Sequence, residues 1–509
     1  MSHQEWQFCP RTYPHFDHVI YNETEAREII TKFQKTGCHA FLPFLEYSVQ
    51  QRRFSKYLEK IRLLEVGADV TAMSVNKRRP IKYAAHQDTQ IFSYYRYILA
   101  SQYENKLHDL GIHEHVIAYR KIPITANTNK GKCNIHFAKE AFDEIASKGN
   151  SFVMTFDIEG FFESLDHDFL RQKWQVIIER SELPKDHEAV FNAVTNYSFV
   201  NHQACFESLG LIKMNGTKKK FQHCPFSIFK QRKMLCDKNT YREKVIEKGL
   251  VNKNNYGGKG TPQGIPQGSP ISDVLANLYM IDFDLEMSAL SKEKGAYYRR
   301  YSDDILWICN QEDSEIIEQR TRESLIRQGN RTLKIKDEKT TKTIFFRQDS
   351  HHIYHGDKFS YLGFSFDGCR ALYRDSTISN YLRDVSFSID SFVKRAHERS
   401  VGNPKKGTIG NGKTLKDNLN ISQIYHKTGY LNKEYQNMKR EKYQNSNKKN
   451  YTPRPEGNFM TYHLRAMHIF NIDSNSTYQL SDSQLKNYRK YIKDRILKKA
   501  KFYDPDFSL

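Results

Sequence analysis

The chain has 509 residues and a formal net charge of +20, with 79 Lys and Arg residues against 59 Asp and Glu residues. This basic excess favours a polyanionic partner, because each phosphate that Lys or Arg neutralises releases counterions. The opening residues, MSHQEWQFCP, lack the apolar run of a signal peptide, no stretch is apolar enough to span a bilayer, and the eight cysteines lack the spacing of a zinc site. These features argue against a secreted, membrane-spanning or zinc-binding protein and predict a cytoplasmic location with no membrane partner.

The first part of the chain predicts helices followed by one buried strand. Residues 1–65 predict an N-terminal helical extension, with mixed helical periodicity from Glu23 to Lys60. A basic stretch leads into IFSYYRYILASQYENKL (91–107), which is typical of an amphipathic helix, and a second helix is expected over 137–145. The apolar run SFVMTFDI (151–158) predicts a buried strand.

A helix is expected next over 165–180, with Asp166 near its start, where a carboxylate suits the helix dipole. Residues 200–255 are polar and rich in lysine, and we interpret them as an insertion. A loop punctuated by glycines, YGGKGTPQGIPQGSP (256–270), then leads into a helix over 271–287.

Two hairpins and a basic region are predicted in the last part of the chain. AYYRRYSDDILWIC (296–309) places apolar and aromatic residues on both sides of an acidic turn, and KFSYLGFSFDG (358–368) has a similar pattern. Residues 403–455 are rich in Lys, Asn and Tyr, which indicates a segment that is either flexible or ordered by RNA. A charged helix is expected over 481–502.

Three carboxylates stand where metal-dependent chemistry needs them. Asp157 ends the predicted buried strand, and Asp303 and Asp304 occupy the turn of the first hairpin. Transfer of a nucleotide to a hydroxyl is assisted by two divalent metals, which prefer oxygen ligands and need few carboxylates from the protein. Each acid alone is weak evidence, since Asp is common in turns.

The ordered set of motifs around these acids is far more specific. FDIEGFFESLDH (156–167) resembles motif A of reverse transcriptases, GIPQGSPISDVLANLYM (264–280) resembles motif B, and RRYSDDILWI (299–308) is similar to motif C. RTLKIKDEKTTKTIFF (331–346) resembles motif D, and FSYLGFSF (359–366) resembles motif E, the primer grip. A looser likeness to the fingers motifs lies at RRPIKYAAHQDTQIF, and the resemblance covers about residues 70–370.

The resemblance implies an α+β fold of the right-hand polymerase type. Its palm would be an antiparallel sheet with helices, and its thumb and C-terminal region would be mostly helical. The expected domains are the fingers over 66–150, the palm over 151–368 with an insertion at about 200–255, and a thumb with a basic RNA-binding region over 369–509.

The resemblance also implies an RNA-directed DNA polymerase with named metal ligands. Asp157, Asp303 and Asp304 would be catalytic, and they would bind two Mg²⁺ ions together with the backbone carbonyl of Ile158. Mn²⁺ would be able to substitute for Mg²⁺. Phe162, five residues after Asp157, would exclude the ribose 2′-hydroxyl and so favour deoxynucleotides.

Other residues are assigned to the nucleotide and the primer on the same basis. The dNTP would be bound by Phe162, Gln267, Gly268, Arg79, Arg78, Lys77 and Lys339, and the primer grip would contain Tyr361, Leu362 and Gly363. For the basic residues an ordinary solvated charge is an equal alternative. We interpret Arg120, in AYRKIP, as a structural residue.

The layout most resembles the bacterial defence-associated (anti-phage) reverse transcriptases, which are related to retron and group II intron enzymes. Nothing after Arg370 resembles a nuclease or an integrase. The expected partners are dNTPs, an RNA template in the form of a dedicated non-coding RNA, the DNA product, and a second copy of the chain. A retron-type or intron-type enzyme, a catalytically silent RNA-binding scaffold and an RNA-dependent RNA polymerase remain alternatives. The primer hydroxyl could come from RNA, DNA or protein.

Overall fold

The computed structural model describes residues 5–53, 75–125, 128, 130–215, 218–221, 234–258, 260–347, 353–355, 358–403, 407–428, 459–471 and 478–509. The expectations for 54–74 and for most of 403–455 therefore lie outside the described residues. The chain forms two compact units. The first contains 1–120, 155–307 and 312–340, and the second contains 121–154, 308–311 and 341–509.

The α-helices of the described residues are, in chain order, α1 (Glu23–Thr36), α2 (His86–Asp109), α3 (Asn134–Lys148), α4 (His167–Ile177), α5 (Lys185–Thr195), α6 (His202–Ser208), α7 (Lys238–Tyr241), α8 (Ser272–Tyr279), α9 (Ile281–Glu293), α10 (Ser314–Arg327), α11 (Asp375–Val401), α12 (Leu415–Asn418), α13 (Ile421–Lys427), α14 (Phe459–Asn471) and α15 (Tyr488–Lys501).

The strands are, in the same order, β1 (Phe44–Arg53), β2 (Val75–Tyr83), β3 (Ser151–Asp157), β4 (Ser198–Asn201), β5 (Ile212–Asn215), β6 (Lys218–Phe221), β7 (Val251–Lys253), β8 (Tyr297–Tyr301), β9 (Asp304–Cys309), β10 (Thr341–Arg347), β11 (Ile353–His355), β12 (Phe359–Tyr361), β13 (Phe364–Phe366), β14 (Arg370–Tyr373), β15 (Gly402–Asn403), β16 (Thr408–Ile409) and β17 (Gln479–Leu480).

A four-stranded sheet of the first unit has the order β2-β1-β4-β7. Strand β1 is antiparallel to β2, with Leu45 opposite Tyr83, and parallel to β4, with Phe44 opposite Phe199. The helical periodicity expected from Glu23 to Lys60 therefore stops after α1, because distant strands recruit Phe44–Arg53 into a sheet. Strands β4 and β7 both come from the region expected to be an insertion, which thus supplies half of this sheet.

Strand β9 lies between β8 and β3 in a second sheet. All residues from Ile305 to Cys309 are buried, as are Val153, Met154 and Phe156 of β3. Runs of this kind are typical of strands covered on both faces. This burial fixes the ends of the two strands, and those ends carry the acids singled out above.

Two helices next to this sheet show how local sequence sets their ends. The Asp166 carboxylate caps α4 by accepting a hydrogen bond from Phe169 N at 2.8 Å, as expected for an N-cap residue. The single helix expected over 271–287 is instead two helices, because the backbone leaves the helical conformation at Met280 (φ −94°, ψ 6°).

The second unit contains a four-stranded sheet in the order β12-β13-β14-β17 and the pair β15–β16, and it also contains β10 and β11, which are antiparallel to each other and belong to the five-stranded sheet β11-β10-β3-β9-β8. Leu362 and Gly363 join β12 to β13 with positive φ angles of 45° and 93°, the geometry of a tight two-residue hairpin turn. Helices α11 and α15 pack together, and Arg495 Nη2 lies 2.6 Å from Asp390 Oδ2. The predicted hairpin over 358–368 is confirmed. The charged helix expected over 481–502 is confirmed over Tyr488–Lys501, and a short 3₁₀ helix, Ser483–Leu485, precedes it.

We find no helix in the described ranges that combines the length and apolarity needed to cross a membrane.

Candidate active site

The structure brings Asp157 and Asp303 together at the ends of neighbouring strands. Ile158 N, directly after β3, donates a hydrogen bond to Asp303 O at 3.1 Å, which holds the strand end against the hairpin turn. Burial raises the pKa of the Asp303 carboxyl, and the nearby Asp157 carboxylate raises this pKa further. Lys339 and Arg79 act on Asp303 in the opposite direction. Four of the residues predicted from the sequence therefore share one electrostatic environment.

Lys339 is placed by a segment that pairs with the end of β3. Lys336 N donates to Asp157 O at 2.8 Å, and Glu159 N donates to Lys334 O at 2.8 Å. A short 3₁₀ helix, Asp337–Lys339, follows, and Lys339 Nζ forms an ion pair with Asp157 Oδ1. Lys339, in the segment that resembles motif D, thus pairs directly with Asp157.

The two neighbouring acids of the hairpin differ in their surroundings. Asp304 is exposed at the start of β9, whereas Asp303 is only partly accessible. Among the described residues, no group of three His, Cys, Asp or Glu side chains has the arrangement of a metal site. The pair of Asp157 and Asp303 still fits Mg²⁺, which commonly binds one or two carboxylates and completes its shell with water and substrate phosphates.

A buried ion pair beneath the turn escaped the sequence analysis. The side chains of Arg300 and Asp284 are fully buried, and Arg300 Nε and Nη2 donate to the two carboxylate oxygens at 2.7 and 2.6 Å. Arg300 Nη1 also donates to Ser302 O at 3.0 Å. Tyr298 donates its hydroxyl to Asp284 at 2.7 Å. One signal was available, since Tyr298 and Arg300 share the buried face of β8 by their spacing of two.

The glycine-rich loop joins two other segments that the motifs single out. Ile265 N donates to Phe162 O at 2.8 Å, and Lys82 N donates to Gln267 O at 2.8 Å. Gly268 has a φ angle of 108°, and a Cβ atom there would lie 2.8 Å from Ile81 Cγ2 and 2.9 Å from Lys82 O. The loop therefore links the turn that carries Phe162 to strand β2, and only glycine permits this approach.

The remaining basic candidates are placed to different extents. Arg79 lies on β2 and influences Asp303, as described above. Lys77 and Arg78 pair through their backbone with Gln51 and Gln50, but their side chains lie outside the described residues, so their roles stay predictions.

Arg120 has the structural role expected from the sequence. Its guanidinium donates to both carboxylate oxygens of Glu104, at 2.7 Å each, and to His113 O at 2.5 Å. Its side chain is buried. These bonds join the Arg120 guanidinium to Glu104 and His113 of the first unit, which is a structural role.

The residues predicted as a primer grip belong to the second unit. Tyr361 is buried at the end of β12, and Leu362 and Gly363 form the hairpin turn. Asn134 Nδ2 donates to Leu362 O at 3.2 Å, and Arg374 N donates to Gly363 O at 3.1 Å. Two hydrogen bonds from outside the hairpin thus hold the turn in place. Contact of these residues with a primer stays a prediction.

Residues 195–366 match the family described as "Reverse transcriptase (RNA-dependent DNA polymerase)". This region includes Gln267, Asp303, Lys339 and Tyr361, whereas Asp157 and Phe162 precede it. No curated protein matches the chain.

Among solved structures, the chain is similar to apo telomerase from Candida tropicalis truncated from its C-terminal domain, with a TM-score of 0.36, 12% identity, and coverage of 58% of this chain and 52% of that one. It is also similar to Candida albicans telomerase in complex with a TWJ fragment of telomeric RNA, with a TM-score of 0.33, 9% identity, and coverage of 96% and 65%. The chain spans about half the length of the first of these structures.

The family match agrees with the reverse transcriptase domain predicted from the motifs, over residues 195–366. The mixed helices and sheets confirm the expected α+β fold of the right-hand polymerase type.

Proposed function

We propose that this chain is an RNA-directed DNA polymerase whose catalytic centre is the pair Asp157 and Asp303. The observation that carries this proposal is the juxtaposition of these carboxylates by the bond from Ile158 N to Asp303 O, in a chain whose residues 195–366 match the reverse transcriptase family. Two bound Mg²⁺ ions would activate the primer hydroxyl and neutralise the triphosphate. Asp157, Asp303 and the Ile158 carbonyl would hold them, with Asp304 as an outer ligand.

The other residues of the site orient the nucleotide. Arg79 and Lys339 supply positive charge beside the acids and would bind the triphosphate. Phe162 would meet the sugar, and its position is fixed through the bond from Ile265 N to its carbonyl. Gln267 and Gly268 would form the surface against which the new base pair lies.

Primer extension on an RNA template tests this function directly. We expect Asp303→Asn to abolish dNTP incorporation, while the matched variant Asp304→Asn, one residue away and exposed, retains part of it. Removal of divalent metal should stop wild-type synthesis. Normal incorporation by Asp303→Asn would contradict the assignment, and incorporation of NTPs in preference to dNTPs would indicate an RNA polymerase.

The proposed template is a dedicated non-coding RNA, which the basic C-terminal region within residues 369–509 would bind. The charge of +20 supports a phosphate-rich partner. We expect RNA to copurify with the cytoplasmic protein and its affinity to fall steeply with salt. Deletion of 403–455 should weaken RNA binding more than it impairs primer extension on a short exogenous template. Equal RNA affinity of the deletion variant and the full chain would contradict this role.

For the biological outcome, we propose protection of bacteria against phage by DNA synthesis, on the basis of the layout that the motifs share with defence-associated enzymes. Cells that carry the wild-type gene should resist a phage to which cells carrying Asp303→Asn are sensitive. Full protection by the catalytic variant would contradict this proposal.

A further inference from the structure

A tyrosine outside the five motifs forms a hydrogen bond with the turn between β8 and β9, which carries Asp303. Tyr119 Oη donates a hydrogen bond to Ser302 Oγ at 3.1 Å, and Ser302 immediately precedes Asp303. Both bonded residues have left-handed backbone conformations, with φ angles of 64° and 59°. Non-glycine residues in this region cost free energy and persist only where the surroundings hold them.

Core packing does not explain the conformation of Tyr119. Its relative exposure is 43%, the value of a surface side chain. Burial raises the pKa of Tyr119, the hydrogen bond to Ser302 lowers it, and the nearby Asp303 and Asp273 carboxylates raise it further. A phenol that stays protonated is a donor, which agrees with the bond to Ser302 Oγ.

The backbone around Tyr119 is fixed from two sides. Asn277 Nδ2, on α8, donates to Ala118 O at 3.0 Å. Ile117 N donates to Arg300 O at 3.0 Å, on the strand that leads into the turn. Bonds from α8 and from β8 thus hold the backbone next to Tyr119, and this places the Tyr119 hydroxyl beside Ser302.

We propose that Tyr119 is a positioning residue for the metal site, and that its hydroxyl holds Ser302 so that the Asp303 carboxylate stays beside Asp157. Two bonds then fix Ser302: the guanidinium of Arg300 holds its carbonyl at 3.0 Å, and Tyr119 holds its hydroxyl. The first bond comes from the buried core and the second from the surface. This inference rests on the proposed function, since it assumes that Asp303 binds a divalent metal.

The test measures Mn²⁺ binding to the full chain without nucleic acid, by electron paramagnetic resonance of the free ion. Tyr119→Phe removes the donor and keeps the ring, and Ser302→Ala removes the acceptor. We expect each variant to weaken Mn²⁺ binding by roughly three- to tenfold, the effect of one hydrogen bond. The double variant should be no weaker than the weaker single variant, because both changes remove the same bond.

Tyr94→Phe is the matched control, since it removes a tyrosine hydroxyl that accepts a bond from Gln34 at 3.1 Å. We expect it to leave Mn²⁺ affinity unchanged. Asp303→Asn separates the two hypotheses: if it leaves Mn²⁺ affinity unchanged, the metal site itself is wrong. If Asp303→Asn abolishes binding but Tyr119→Phe binds like wild type, or if the effects of Tyr119→Phe and Ser302→Ala add, the positioning role is wrong.

Discussion

Phe162 packs its half-buried ring edge-to-face against Phe161, with ring centroids 5.7 Å apart, and it is also held by its backbone. Its carbonyl accepts a bond from Ile265 N, and it lies within the short 3₁₀ turn Phe161–Glu163. If the ring excludes the ribose 2′-hydroxyl, Phe162→Ala should raise NTP incorporation relative to dNTP by about 10- to 200-fold. Phe162→Tyr keeps the ring and should keep the wild-type ratio. Single-nucleotide incorporation measures both, and an unchanged ratio in Phe162→Ala would place sugar selection elsewhere.

His15 makes the stability of the first unit depend on pH. The side chain is fully buried, and this burial lowers its pKa to about 3, from 6.5. Between these values the unfolded chain binds a proton that the folded chain does not, so the free energy of unfolding falls as pH falls, by up to about 1.4 kcal/mol per pH unit. Thermal unfolding from pH 7 to 5 should therefore be steeper in pH for wild type than for His15→Gln. Equal slopes would show that His15 is protonated in the fold.

The hairpin of β8 and β9 depends on the buried pair of Arg300 and Asp284. Arg300→Met leaves the Asp284 carboxylate buried without its partner and should destabilise the chain by about 3–5 kcal/mol. Adding Asp284→Leu should restore much of the thermal stability. Primer extension should stay impaired in the double variant, because the bond to Ser302 O is still missing. Recovery of activity together with stability would mean that the pair only supports folding.

Two glycine variants distinguish the effect of the close approach of the glycine-rich loop to β2 from the effect of a positive φ angle alone. Gly268→Ala places a Cβ atom within 3 Å of Ile81 and Lys82 and should raise the KM for dNTP as it moves the loop away from β2. Gly295 also has a positive φ, 55°, but a Cβ atom there meets nothing within 4 Å. Gly295→Ala should therefore lower stability by about 1–2 kcal/mol and leave the KM unchanged. Equal KM values for the two variants would rule out a role for the close approach.

Elements with a strong local pattern were predictable from the sequence. The strand that ends at Asp157 and the hairpin around Asp303 follow from apolar runs next to acidic residues. Strand β1 was not predictable, because its partners in β2 and β4 are set by long-range pairing. The candidate active site was likewise predictable only in part. The acids and Lys339 stand in motifs, whereas the bond from Tyr119 to Ser302 joins residues far apart in sequence and leaves no periodic pattern.

The two compact units divide the chain differently from the expected domains. The expected boundaries at 65/66, 150/151 and 368/369 follow the order of motifs along the chain and stay predictions. The compact units instead change within β3 and β9, where Thr155–Asp157 and Asp304–Trp307 belong to the first unit. Motif order is readable in a sequence, but compactness depends on contacts between distant residues.

The interleaving of the first unit has a consequence for biosynthesis. Its earliest part ends at Arg120, but its last part, which carries Lys339, ends at Thr340. A ribosome that adds about 5–20 residues per second needs roughly 10–45 s to reach Thr340 from Arg120. During that time the buried residues Phe44 and Leu45 of β1 first await β4, and Asp157 then awaits Lys339. We therefore expect chaperones to bind the nascent chain before the first unit is complete.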